Sequence, residues 1–308
     1  MTPLVSVIIP CYRQGHWLAT AVQAALGQTH PRVEVVVVND GSDDNTDEVA
    51  QGYSDRIQYV SQSNRGLAAA RNAGVRVSAG ELLHFLDSDD SLHPDAIRNL
   101  VAAASDTHPL VGMGWRPFET DPNVPTGADV LPPPPDQLHR AMLTACYGPP
   151  HNFLIGRQIF EQVGGFDERM RGCADWDLWL RLLFAGATPN TTPFVGALYR
   201  QSPNQMSRHE MHMAEELARA VSKVPVLVSQ HPNRVSAWGF DPAELRREFL
   251  KRAVKESADA GYLRRQRGEY RMAAAHYTKC VLAGGYAVGL SGLIKLLPHR
   301  LVGKGRRL

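Results

Sequence analysis

The chain has 308 residues, of which 44% are hydrophobic and 21% charged; this describes a soluble globular protein of one large or two ordinary domains and excludes a disordered or collagen-like chain. The formal net charge of +2 hides an asymmetry: residues 245–308 carry 15 Lys/Arg against 4 Asp/Glu, and the first 244 carry 18 against 27. The acidic part does not suit nucleic acid, whereas the basic end suits an anionic surface. Cys11, Cys146, Cys173 and Cys280 form no C-x-x-C pair. That argues against a zinc ribbon, a redox motif or a disulfide framework and fits a reducing cytosol. The N-terminus shows no signal-peptide pattern. The longest charge-free run, Cys280 to Ile294, falls short of the ~20 residues a bilayer span needs.

Strands and helices alternate at first. Leu4 to Ile9 reads as a buried strand stopped by Pro10, and His16 to Gly27 as a helix with Leu18, Val22, Ala25 and Leu26 on one face. Val33 to Val38 is apolar nearly throughout, as parallel strands covered on both faces are. Ser42-Asp-Asp-Asn-Thr is expected to open a second helix, Ile57 to Val60 a third strand, Leu67 to Ser78 an Ala-rich helix and Leu82 to Leu86 a fourth strand. Pro94 is expected at the first turn of the next helix. This alternation predicts a doubly wound α/β sheet. Glu119 to Asp136, with six prolines, reads as a loop. Residues 137 to about 225 read as helical and irregular, and residues from Asp241 onward as helical. There Tyr262, Leu263, Tyr270, Ala274, Tyr277 and Val281 suggest a packed antiparallel helix pair.

Ligands of open α/β sheets bind outside the carboxyl ends of the strands. Three such ends here carry chemistry: Pro10-Cys-Tyr12, Asn39-Asp40-Gly41-Ser42 and Asp87-Ser-Asp89-Asp90. Three carboxylates within four residues repel one another, and a hard cation relieves that; the plainer reading is an acidic turn capping the helix near Pro94. Asp40 is placed to accept hydrogen bonds from a base or ribose, or else makes an Asx turn. Arg71 follows a helix start at Asn64-Arg-Gly66, where a diphosphate would be favoured; its alternative is an ordinary ion pair. Asp175, in Asp175-Trp-Asp177-Leu-Trp179, suits a general base, or a helix cap. His209-Glu-Met-His212 is a weak metal pair that is plainer as solvated helix. Neither G-x-G-x-x-G nor a P-loop occurs.

Taken together, these segments resemble the family-2 glycosyltransferases over about residues 4–208. The carriers are Val5 to Tyr12, Val37 to Thr46, Asn64 to Gly74, Gly80 to Asp90, Gly164-Gly-Phe-Asp167, Asp175 to Arg181, and Tyr199-Arg200 with Ser207, in the family's order. The resemblance implies a GT-A fold: a mostly parallel central sheet flanked by helices, here with a C-terminal helical extension. It implies a catalytic domain over 1–225, with a nucleotide-binding half over about 1–118 and an acceptor half over about 137–225, followed by a basic extension over 240–308. It also implies an inverting, metal-dependent transfer of sugar from a nucleotide-diphosphate donor, a UDP-sugar, to an acceptor hydroxyl in cell-envelope polysaccharide or glycoconjugate synthesis. Pro10, Tyr12, Asp40 and Arg71 would contact the nucleotide. Asp87 would sit near the ribose, Asp89 on Mn²⁺ or Mg²⁺, Arg200 over the diphosphate, and Asp175 would be the base.

Two departures stand out. Ala174 replaces the usual Glu before the base, and Tyr199-Arg-Gln-Ser202 lacks the usual final His. The alternatives are a degenerate nucleotide-sugar-binding protein and a nucleotidyltransferase of similar fold. The second would want a Gly-rich triphosphate loop where Pro10-Cys-Tyr-Arg-Gln-Gly15 stands. A cytoplasmic location is expected, with peripheral contact at the inner face of the membrane through the basic tail.

Overall fold

The first β-branched run forms strand β1, Val5–Cys11, and all seven of its residues are buried. In this computed structural model, which describes residues 2–203, 205, 210–283 and 285–296, the chain divides into two units, Met1–Pro203 and Asn204–Leu308. In the first, β1 lies between β2 (Val33–Asn39) and β4 (Leu82–Phe85), parallel to both, and β3 (Gln58–Ser61) pairs parallel to β2. The interior Val and Ile of β1 and β2 are buried because helices cover the sheet. Helix α1 (Gly15–Leu26) buries Leu18, Ala21, Val22 and Ala25. Helix α3 (Leu67–Val77) is lined with small residues and buries Ala68, Ala69, Ala70, Arg71, Ala73, Gly74 and Val75.

Two helix starts differ from expectation. Helix α2 (Thr46–Gln51) begins late, so residues 42–45 stay in the loop, and α4 (Ala96–Ala103) begins after Pro94 with Asp95 as its N-cap. In the first case Asp44 bonds the amides of Gly15 and Thr46, which ties the loop across to α1 rather than into a helix.

The larger difference lies beyond residue 105. Strand β6 (Leu110–Phe118) pairs antiparallel with β7 (Phe153–Gly156) and parallel with β8 (Pro189–Arg200). Strand β7 also pairs antiparallel with β4, and the two-residue β5 (Ser91–Leu92) pairs with the end of β8. The eight-stranded order is β3-β2-β1-β4-β7-β6-β8-β5. The segment read as helical and irregular therefore supplies sheet as well as helices α5 (Pro135–Thr144), α6 (Arg157–Gln162) and α7 (Ala174–Ala185). Strand β6, which precedes that segment, and β8, within it, escape a period-two reading because Gly112, Gly114 and Pro117 interrupt β6, its register with β8 shifts twice, and β8 carries two prolines. The Pro-rich stretch before α5 is loop, touched by isolated bridges at Pro125 and Val130.

The second unit is helical: α8 (Glu210–Gln230), α9 (Pro232–Ala237), α10 (Pro242–Gln266), α11 (Tyr270–Leu282) and α12 (Tyr286–Ile294). Helix α8 runs through residue 225, where the sequence places the end of the catalytic domain. Asp241 caps α10 by accepting from the amides of Ala243 and Glu244. Helices α10 and α11 pack as the expected pair with Tyr277 buried as expected, but the rest of the buried face differs. Ala273, His276, Tyr277 and Cys280 are buried, while Tyr262 and Tyr270 are exposed. A polar network replaces those tyrosines: Glu215 takes Arg264 through two oxygens and lies 3.0 Å from His276. Among the described residues no helix is long and apolar enough to cross a membrane. Ser207, His209 and the terminal segment 297–308, with Lys304 to Arg307, lie outside the described residues.

Candidate active site

The parallel strands place their carboxyl ends side by side: Cys11 is opposite Asn39, which is opposite Ser61, and the Leu86 amide bonds the Ile8 carbonyl. The loops after β1, β2, β3 and β4 therefore leave from one rim. Pro10 is buried within β1, and Tyr12 stands on the first loop, exposed, with the Arg13 guanidinium 5.2 Å from its ring centre. Arg13 has φ 54° and is held by a two-pronged pair with Asp43, both contacts at 2.7 Å.

Asp40 is buried and already committed. Its oxygens accept from Gln62 Nε2 at 2.7 Å, the Arg65 amide at 2.9 Å and the Gly66 amide at 2.8 Å. It thus fastens the loop after β2 to the start of α3. Gly66 is required there because its φ of 93° lies in a region that side chains rarely adopt; Arg171 packs over it and donates from Nη1 to the Arg65 carbonyl.

Arg71 is almost wholly buried, with Nη2 2.5 Å from Asp87 Oδ1 and its guanidinium carbon 5.2 Å from the Phe166 ring centre. Its neighbour Asn72 bonds the backbone of Phe166 in both directions. The Asn64–Gly74 and Gly164–Asp167 segments are therefore packed together. Asp177 and Arg181, paired within α7, hold the same loop from the other side, since Arg181 donates to the Val163 and Gly165 carbonyls.

Asp175 lies in the first turn of α7, where Cys173 at φ 51° is the N-cap. Its Oδ1 accepts from the Trp176 amide at 2.8 Å and lies 3.5 Å from Cys146 Sγ. Burial raises its pKa, while the nearby Arg71 charge opposes that. Burial and the Asp175 charge lift the Cys146 thiol well above its ordinary value, although the residue itself is solvent-accessible. Arg71, Asp87 and Asp175 share this neighbourhood, so the structure brings them together.

Around the acid loop, Gln14 bonds Ser88 and, at 3.3 Å, Asp89. Burial, with the charges of Asp90 and Asp87, pushes Asp89 up to about 7. Asp90 is fully enclosed; it accepts from the Arg200 amide at 2.7 Å and its Oδ2 lies 2.9 Å from His151 Nδ1. Burial alone would lower the His151 pKa, but Asp90 beside it raises it.

Arg200 is at the site but turned inward. Its guanidinium lies 3.6 Å from the Trp17 ring centre and 4.4 Å from that of Phe118, and it donates to the carbonyls of Asp89, Glu119 and Thr120. In this structure it braces the acid loop rather than reaching over it.

The residues present suit a divalent cation. Donor atoms of Asp87, Asp90 and His151 all lie within 4.8 Å of one another, and the crowded carboxylates call for positive charge. Asp89, assigned to the metal from sequence, is adjacent to this trio but not one of its members. His151, Gln14 and Cys146 were not found from sequence. Their partners are far away along the chain, and a single His after two prolines carries no spacing signal.

The model of Glycosyl transferase family 2 matches residues 6–164, and that of Glycosyltransferase like family 2 matches residues 141–232. The chain belongs to glycosyl transferase family 2. An uncharacterized glycosyltransferase of Rickettsia felis is 32% identical over 59% of this chain and 31% of its own length. Chondroitin synthase of Pasteurella multocida is 28% identical over 83% of this chain and 26% of its own. The chain spans 27% to 59% of the length of five Rickettsia relatives. Among solved structures, S. aureus TarS 1-349 in complex with UDP-GlcNAc superposes with a TM-score of 0.62 at 15% identity, over 98% of this chain and 93% of that one. The mannosyltransferase PcManGT from Pyrobaculum calidifontis, in complex with GDP-Man and Mn²⁺, gives 0.57 at 17% identity, over 96% and 88%. The fold is thus that of the GT-A glycosyltransferases, with a helical C-terminal region.

Proposed function

We propose that the chain is an inverting, metal-dependent glycosyltransferase that moves a sugar from a UDP-sugar to an acceptor hydroxyl in cell-envelope polysaccharide or glycoconjugate synthesis. The observation that carries this reading is the meeting of Arg71, Asp87 and Asp175 beside the acid loop of a family 2 chain. Asp175 takes the proton of the acceptor hydroxyl as its oxygen attacks the anomeric carbon. The bond from that carbon to the diphosphate oxygen breaks on the opposite face, so configuration inverts without a covalent sugar–enzyme intermediate. Arg71 contributes a buried positive charge near the departing diphosphate. Pro10 and Tyr12 border the nucleotide, and Asp40 acts by shaping the loop that receives the base. Asp87, Asp89 and Asp90, with His151 beside them, would hold Mn²⁺ or Mg²⁺. When bound, the cation supplies charge neutralisation of the nucleoside diphosphate. Neighbours crystallised with UDP-GlcNAc or GDP-Man support a nucleotide-sugar donor, and the chondroitin and hyaluronan synthases among the relatives support a glycan acceptor.

The test is a donor panel of UDP- and GDP-sugars, each with Mn²⁺ or Mg²⁺, scored for nucleotide release and then by mass for the acceptor product. Asp89→Asn should lose most metal-dependent turnover while keeping its melting temperature, because the loop sits at the rim of the sheet. Near-wild-type turnover with unchanged metal dependence would remove Asp89 from the site. Donor binding without turnover in the wild type would instead identify a nucleotide-sugar-binding protein.

A further inference from the structure

We propose that His151 is a nitrogen ligand of the divalent cation, completing the oxygen donors of the acid loop. The inference rests on the metal-dependent reading above and adds a ligand from a different element. Sheet register puts His151 there: β7 pairs with β4 through Leu83↔Ile155 and His84↔Leu154, so the turn Pro150–Asn152 before β7 lies beside the loop after β4. The imidazole is 0% exposed, with Nδ1 2.9 Å from Asp90 and the Tyr199 ring centre 5.5 Å from its own. Its donor atom belongs to the one Asp–Asp–His group of this kind among the described residues.

The second observation is what this turn leaves unsatisfied. Among the described residues, His151 Nδ1 and Asp90 Oδ2 make no hydrogen bond although they lie 2.9 Å apart, and His151 Nε2 and both amide atoms of the fully buried Asn152 are likewise without a hydrogen-bond partner. Buried polar atoms are nearly always partnered, so orphans on consecutive residues beside clustered carboxylates point to a missing ligand. An imidazole among carboxylates also has a chemical consequence. Nitrogen ligands suit Mn²⁺, Co²⁺ and Zn²⁺ better than Mg²⁺, which prefers oxygen.

Pulsed electron paramagnetic resonance on the full chain tests this, with Mn²⁺ added alone and then with UDP, in a nitrogen-free buffer. The expected result is a ¹⁴N coupling to Mn²⁺ that changes to the ¹⁵N pattern when the histidines are ¹⁵N-labelled. His151→Gln should remove the coupling and weaken Mn²⁺ binding tenfold or more. If His151→Gln does not fold, His151→Asn is measured in its place. Bound Mn²⁺ without nitrogen coupling, or a coupling that survives in His151→Gln, would overturn the proposal and leave the glycosyltransferase reading standing. No Mn²⁺ binding with or without UDP would overturn both.

Discussion

A carboxylic acid can serve as a base only where it has lost its proton, so the environment of Asp175 sets a pH limit. Burial raises its pKa above the ordinary 3.8. The acid limb of turnover should therefore lie above that of an unperturbed aspartate, with activity rising as pH climbs through the folded-state value. The same shift has a stability sign. Between 3.8 and the raised value the folded protein binds more protons at this site than the unfolded chain, so its contribution to stability falls as pH rises. Above the raised value the charged Asp175 therefore costs stability. Asp175→Asn should cut turnover by ~10²-fold or more, leave donor affinity nearly unchanged, and keep or raise the melting temperature. A drop in melting temperature would mean that the Trp176 amide bond, a helix-cap function, is what the carboxylate is for. Residues like this one were legible in the sequence because each sits in a short motif at an element end. His151 was not, because its meaning comes from Asp90, which reaches it only through the β4–β7 pairing.

Among the elements, α3 shows how small residues bring a helix close to a sheet. A Cβ on Gly74 would stand 2.4 Å from Ile8 Cγ2 and 3.2 Å from Val38 Cγ2, both side chains of the buried sheet face. An alanine would gain ~1 kcal/mol of helix propensity, but overpacking a filled core costs ~1–3 kcal/mol. With contact this short against branched side chains, the packing cost should win. Gly74→Ala should lower the denaturation midpoint in a urea titration, and an unchanged or higher midpoint would show that α3 has room to move outward. The parallel half of the sheet was readable because β1 and β2 are unbroken apolar runs. Strands β6 and β8 were not, because glycines, prolines and a shifted register erase alternation; only their neighbours make them strands.

At the level of the whole molecule, the two units differ in charge as well as structure. The basic residues from 245 onward fall in the helical unit, where Leu282, Val288 and Leu290 are also exposed. Electrostatic attachment to anionic lipid fits this combination, and such attachment weakens with salt because exposed charges are screened beyond ~10 Å at 0.1 M. Co-sedimentation with anionic vesicles should exceed that with neutral ones, fall with salt, and fall again when residues 283–308 are removed. Equal binding to both vesicle types, or no loss on truncation, would make the tail ordinary packing. The first unit has its own long-range constraint in the acid loop. Three strands separate β4 from β5 in the sheet, so in a flat sheet the two would be about 19 Å apart at the usual spacing. The chain joins them with only residues 86–90, which are further shortened by a turn from the Asp90 amide to the Asp87 carbonyl. A link that short cannot cross a flat sheet, so the sheet curls until its far edge returns to its middle. The loop that carries the acids is thus also a clasp, and its length is a dimension of the architecture. Unlike most surface loops, it ties the far edge of the sheet to its middle, so chemistry and curvature share these five positions.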